Sequence, residues 1–223
     1  MSCLRDTLGQ VSTEMNQAHE AFELGKYDEA IDLYGVAADQ FEKSNDVENY
    51  VFAQLKIAES LNRIGSITQG LELSQKILNY LESLDLKSKL LIAEAYNVIG
   101  DAYLNLGRND QALESLIKSR DFFIEAGGEE SIELASCYND LGIVYWNNGN
   151  KELALRYHQN ALKIRKDIHA KDHTEIADSY NNIGLIEMQD DEFGAYIDFS
   201  KALTIYKNTV SYTHLTLPTK RIV

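Results

Sequence analysis

Cysteine occurs only twice, at Cys3 and Cys137. Two such residues give neither a disulfide framework nor a metal-ligand spacing, and a reducing cytosol fits them. Cys137 falls in a helical phrase where a small residue belongs, so it reads as buried filler. No run approaches the about 20 apolar residues that span a bilayer. The start, "MSCLRDTLGQ", has no apolar core of a secretory signal. The expected location is therefore cytoplasmic. Basic residues are also scarce, 21 Lys and Arg against 35 Asp and Glu, for a net charge of −14. Nucleic-acid binding rests on Lys and Arg neutralising phosphates, so nucleic acid is excluded as a partner. An anionic membrane surface is excluded on the same ground. A basic or neutral partner is left open, and the acidity itself serves solubility.

What is present is repetition. "AYNVIG" at 95–100, "CYNDLG" at 137–142 and "SYNNIG" at 179–184 say nearly the same thing. Gly100, Gly142 and Gly184 follow at 42-residue steps. A second series, Gly25, Gly65, Gly107 and Gly149, steps by 40, 42 and 42, and the next step lands on Asp191. A period of this size marks a solenoid, whose units bury their faces only against neighbours.

Each period holds two helices. Tyr138, Leu141, Gly142 and Tyr145 share one helical face. Gly149 then ends the helix as a left-handed residue does, and Asn150 can cap the next. Leu153, Ala154, Tyr157, Ala161 and Ile164 make the second helix's face. The preceding copy repeats the pattern with Tyr96, Ile99, Gly100, Tyr103, Gly107, Ala112 and Leu116. A mid-helix glycine costs about 1 kcal/mol by propensity. It is tolerable where two helices cross too closely for a Cβ, and Ala154 and Ala161 serve the same approach.

These residues resemble a tetratricopeptide repeat, from about residue 8 to 208. The copies fall at about 8–45, 47–84, 88–127, 130–169 and 172–208. The second is the weakest, with Gly70 where the second helix usually has Ala. The longer period, and "ALKIRKDIHAKDHTEIADSYNNIG", resemble the kinesin-light-chain type of repeat at Ala161, Leu162, Ile164, Arg165, Lys171, Asp172, His173, Asn181 and Asn182. Thr174 stands where that family has Pro. The resemblance implies an all-α, right-handed α-solenoid of about five helix hairpins.

The same resemblance places the first helix of each pair on the concave groove. The groove stripe is then Glu94, Asn97, Asp101, Leu104 and Asn105; next Ser136, Asn139, Ile143, Trp146 and Asn147; then Asp178, Asn181, Leu185, Met188 and Gln189. Asn97, Asn139 and Asn181 stand in line, one per repeat, while Met15 and Leu55 hold that position in the first two copies. A carboxamide offers both donors and an acceptor, so it can read a peptide backbone whatever its side chains. Asparagine ladders of this kind bind peptide backbone in related repeats. The same Asn also suit a wet face or a bond to a neighbouring helix. Trp146 and Met188 fit side-chain pockets, and Trp146 equally fits packing between repeats.

No chemistry of catalysis stands out. There is no Gly-rich phosphate loop and no nucleophile signature. Glu129–Glu130 and Asp190–Asp191 fall at helix starts or turns, where negative charge suits the helix dipole. His169 and His173 lie on a loop between repeats and lack a third ligand, so they read as solvated. No enzyme, cofactor or metal is expected in these residues. The expected function is a scaffold or adaptor binding a peptide or protein segment in the groove. The alternative is the regulatory arm of a multi-domain signalling enzyme, of CHAT peptidase, histidine kinase or cyclase type, whose catalytic part lies beyond residue 208.

The last copy should be irregular. Asp191 replaces the turn glycine, and "GAYIDFSKAL" arrives one residue early. Beyond Asn208 the phrasing stops. "VSYTHLTLPTKRIV" at 210–223 is β-branched, Thr-rich and holds the chain's single proline, Pro218. Its residues 210 to 219 are what GTC TCT TAT ACA CAT CTG ACG CTG CCG ACG encodes, which resembles a transposon-end adapter of sequencing libraries. Residues 209–223 are therefore expected to be a non-native, unstructured tail.

Overall fold

The computed structural model describes residues 13–84, 88–128, 130–171 and 173–214, the last five by backbone alone. Among the described residues every regular element is a helix. The chain divides into two compact units, Met1–Glu129 and Glu130–Val223. The first holds α1 (Thr13–Glu23), α2 (Tyr27–Lys43), α3 (Val47–Arg63), α4 (Ile67–Ser83), α5 (Lys89–Asn105) and α6 (Asn109–Glu125). The second holds α7 (Ile132–Asn147), α8 (Lys151–Ile168), α9 (Thr174–Glu187) and α10 (Glu192–His214). Consecutive helices pair as hairpins, as expected of an α-solenoid.

The turns explain the first glycine series. Gly25, Gly65, Gly107 and Gly149 all have φ between 71° and 87°, a region that penalises a Cβ. Each is followed by a residue whose N–H reaches back five positions: Lys26 to Ala21, Ser66 to Leu61, Arg108 to Tyr103 and Asn150 to Tyr145, at 2.8–2.9 Å. This bond satisfies a carbonyl that the helix end would orphan. The Asn150 carboxamide then accepts from the Leu153 N–H at 3.1 Å and caps α8. In the last hairpin the device changes. The Asp190 and Asp191 N–H groups both turn back to the Glu187 carbonyl. Asp191 Oδ1 accepts from the Gly194 N–H at 2.9 Å, so the aspartate starts α10 instead of ending α9.

The second glycine series works by contact. A Cβ on Gly100 would stand 2.6 Å from Leu116, one on Gly142 2.6 Å from the His158 ring, and one on Gly184 3.0 Å from Phe199. Leu116, His158 and Phe199 occupy one register position on α6, α8 and α10. It is these large side chains, rather than Ala154 and Ala161, that close on the glycines. The weak second copy inverts the arrangement. Ala58 takes the position of Gly100, and Gly70 on the opposite helix would place a Cβ 2.7 Å from the Ala58 carbonyl and 2.3 Å from the Asn62 Oδ1. Gly70 is therefore required there for the same reason that the other copies need theirs one helix earlier.

Around these crossings lie the cores. Tyr34, Phe41 and small alanines fill the first hairpin, and Val51, Leu55, Ile77, Leu81 and Leu91 the next. In the second unit Tyr157 stacks on Tyr145 at 5.3 Å and tilts on Tyr138 at 5.7 Å. Cys137 is buried, as expected.

One expectation needs correction. Residues 209–214 are helical, continuing α10. A helix once formed gains a hydrogen bond for each residue added, and no proline interrupts before Pro218. Thr209 bonds through its hydroxyl to the Ile205 carbonyl. Residues 215–223 lie outside the described residues.

Gly142→Ala should destabilise the fold by about 1–3 kcal/mol despite alanine's better propensity, because the buried His158 ring cannot yield without overpacking; a lowered melting temperature checks this. Burial, with the Arg165 guanidinium nearby, pushes the His158 imidazole down to about 4. The unfolded chain protonates near pH 6.5, so the unfolded state binds more protons between these values. Stability should fall by up to roughly 3 kcal/mol as pH drops from about 6.5 to about 4, and level off below. His158→Leu, which copies Leu116, should remove this part of the acid sensitivity in paired melting curves at pH 7 and 4.5.

Candidate functional site

The residues of the expected stripe lie on or at the end of α5, α7 and α9, and α3 carries polar residues at the same register. In the first unit it is ionic. Lys56 on α3 pairs with Glu59 at 2.9 Å, and Arg63 lies 3.8 Å from the same carboxylate. The Lys56 ammonium also sits over the Phe22 and Phe52 rings, at 5.6 and 5.5 Å. Burial by itself would lower the lysine pKa. The charges of Glu59 and buried Glu94 outweigh it and hold the pKa above the ordinary value. Glu59 is also desolvated, yet Lys56 and Arg63 bring its carboxyl below the usual range. Asp101 on α5 behaves in the opposite way. Burial raises it, against the pull of Arg63 and of hydrogen bonds from Asn62 and Asn105.

Asn62 ties the two first helices together. Its Nδ2 donates to the Val98 carbonyl at 3.1 Å and to Asp101 Oδ2 at 3.0 Å. Asn105 Nδ2 donates to the Asp101 carbonyl and to Asp101 Oδ1, both at 3.0 Å. Leu104 is half-buried beside them. Asn97 is half-buried, and its Oδ1 accepts no hydrogen bond.

In the second unit the stripe carries four large apolar residues. Ile143 and Trp146 on α7 are half-buried, and Leu185 and Met188 on α9 are 46% and 55% exposed. Asn139 and Asn181 are half-buried. Asn182 Nδ2 donates to Asn139 Oδ1 at 2.9 Å, and Asn139 Nδ2 donates to Asp140 Oδ1 at 3.3 Å. Asn139 thus bonds to the neighbouring first helix. One lone pair and one N–H of its carboxamide are still uncommitted by these two bonds.

The structure leaves the ladder residues half-buried, and buries Met15 and Leu55 at the same register. Sequence reasoning assigned no stripe to the second copy because Leu55 broke the asparagine series. The register itself would have found it. Stepping back 42 residues from Asp101, Leu104 and Asn105 gives Glu59, Asn62 and Arg63.

The loop histidines also differ from expectation. His169 and His173 stack face to face, 3.6 Å between ring centroids. Glu175 completes a half-buried cluster with them. Asp172 lies outside the described residues.

A profile described as tetratricopeptide repeat matches residues 91–167. That segment is similar to tetratricopeptide repeats in sequence. Solved structures extend the likeness along the tetratricopeptide fold. BtubC (BKLC) from P. vanneervenii is 19% identical with a TM-score of 0.59, covering 100% of this chain and 97% of that one. A putative kinesin light chain of Podospora anserina is 15% identical with a TM-score of 0.60, covering 89% and 95%. The Rap conjugation gene regulator of plasmid pLS20, in complex with the Phr* peptide, is 17% identical with a TM-score of 0.71; the match covers 94% of this chain and 60% of that one. At such identities the likeness establishes the fold. No curated protein sequence matches the chain. No helix among the described residues is long and apolar enough to cross a membrane.

Asn62→Ala should cost about 1–2 kcal/mol in urea unfolding, because it removes two hydrogen bonds between α3 and α5 and leaves Asp101 Oδ2 without its Asn62 donor.

Proposed function

We propose that this chain, with its tetratricopeptide-type hairpins, is an interaction scaffold whose first helices hold an extended peptide or protein segment within a unit. The observation that carries this reading is the recurrence of one half-exposed carboxamide at the same register of α5, α7 and α9. Packed helices lie about 8–10 Å apart, and an extended chain rises about 3.3 Å per residue. In the second unit Asn139 and Asn181 would then meet such a backbone about three residues apart. In the second unit Ile143, Trp146, Leu185 and Met188 supply apolar contacts for side chains. In the first, Glu59, Glu94 and Asp101 favour a basic or neutral ligand, with Lys56 and Arg63 balancing part of their charge. The Rap regulator's complex with a peptide supports a peptide partner by analogy of fold.

The Asn139–Asn182 bond gives Asn139 a structural share, so the clean test leaves it intact. The double variant Asn97→Ala/Asn181→Ala would be compared with the wild type on an array of extended 12-residue peptides of graded charge and hydropathy. The same peptides should bind at least tenfold more weakly, with the melting temperature unchanged or higher. Alanine is the better helix former, and its use at position 97 removes a buried acceptor that lacks a partner. Unchanged peptide binding, or a collapse of stability, overturns the reading.

A further inference from the structure

Between α8 and α9 the chain brings three metal-type donors together, although no residue there serves the peptide stripe. His169 follows α8, His173 precedes α9, and Glu175 stands in the first turn of α9. We propose that His169, His173 and Glu175 form a binding site for one divalent transition-metal ion of the zinc type.

The distances carry the proposal. His169 Nε2 is 2.6 Å from Glu175 Oε2, and His173 Nδ1 is 3.8 Å from the same oxygen. All three ligand atoms lie within 4.8 Å of one another. Tetrahedral zinc with bonds of about 2.0–2.1 Å sets its ligand atoms about 3.3 Å apart. The two distances to Glu175 bracket that value. A carboxylate and two imidazoles suit zinc, cobalt, nickel or copper better than calcium or magnesium, which favour all-oxygen shells. The cluster is half-buried, so water has access to a fourth position.

The frame beneath the cluster is fixed. Buried Arg165 on α8 donates from Nη1 to the Glu175 carbonyl at 3.3 Å and to the Ser179 hydroxyl at 2.7 Å. It therefore locks the start of α9 to the end of α8 and holds Glu175 across from His169. The nearby Lys166 ammonium is drawn over the Tyr180 ring, at 4.9 Å. What must change is the ring tilt. The imidazole planes are parallel, and a shared ion has to lie near both planes. His173 would rotate and give up its 3.4 Å contact with the Glu175 N–H. That contact is long for a hydrogen bond, and the metal bonds would have to outweigh it together with the ring stack on His169.

Cobalt(II) titrated into the full chain is the direct probe, because tetrahedral coordination gives intense visible bands. One equivalent should produce them, and Zn²⁺ should displace the cobalt and bleach them. His169→Gln, His173→Gln and Glu175→Gln should each weaken cobalt binding at least tenfold while the helical circular dichroism is retained. His19→Gln, which removes the histidine beside Glu23 on α1, should leave binding unchanged. Zn²⁺ should also raise the melting temperature of the wild type but not of the His173 variant. Absence of bands at excess cobalt, bands that persist in the His169 and His173 variants, or bands lost in the His19 variant would each overturn the proposal.

Discussion

The close approach of the two helices within each hairpin is the constraint on which the rest depends. At one level of the crossing a large side chain of one helix fills the place of an absent Cβ on the other. Leu116 lies over Gly100, His158 over Gly142 and Phe199 over Gly184. A glycine in mid-helix costs about 1 kcal/mol, and burying a leucine or phenylalanine returns about 1.5–3 kcal/mol. The exchange is therefore favourable, provided the two positions stay in register. The second hairpin confirms the logic by reversal, since Ala58 and Gly70 trade the small residue between helices. His158 is the costly member of the set. It fills the same position as Leu116, but an imidazole kept neutral by burial ties this hairpin's stability to pH.

Once the crossings fix the hairpins, the remaining face of each first helix is set without further choice. In the first unit that face gathers charges of both signs. Asn62, Glu59 and Arg63 on α3 meet Asp101 and Asn105 on α5 as hydrogen-bonded or electrostatic neighbours. A half-buried carboxylate of raised pKa, bonded to Asn62 and Asn105 and facing Arg63, is a polar surface that already has partners. In the second unit the positions corresponding to Glu59 and Asn62 are apolar, and Leu185 and Met188 keep much of their surface in water. The two units thus present different chemistry from one register. The last helix also leaves Tyr196 and Leu203 70% and 53% exposed, whereas Leu155 and Leu162, one hairpin earlier, pack with Ile176, Ala177 and Ile183.

Much of the fold was legible because repetition makes spacing itself the signal. Steps of 42 residues located the turns at Gly65, Gly107 and Gly149, and each adopts the left-handed backbone that only glycine tolerates cheaply. Periodicity of 3.6 assigned Tyr138, Leu141 and Tyr145 to one face, and Tyr157 packs there. The failures came where periodicity was silent. Gly70 looked like a flaw until its neighbours Ala58 and Asn62 were in place. Leu55 concealed a polar stripe that begins four residues later. Asp191 turned out to start a helix, because its carboxylate found the Gly194 N–H. His169 and His173 looked solvated because they stand on a loop between repeats, and only the fold brings Glu175 within 2.6 Å of His169.

The sequence by itself determined the class of fold, the places where the chain turns and the residues that repeat in phase, since all three follow from local periodicity and backbone sterics. Only the tertiary structure decided which large side chain closes on each glycine, which carboxamide is already bonded to a neighbour, and which titratable groups share a site. Those outcomes depend on contacts between residues some 6 to 43 positions apart, such as His169 with Glu175 or Asn139 with Asn182. The distance between such partners is set by packing, and no single-chain pattern records it.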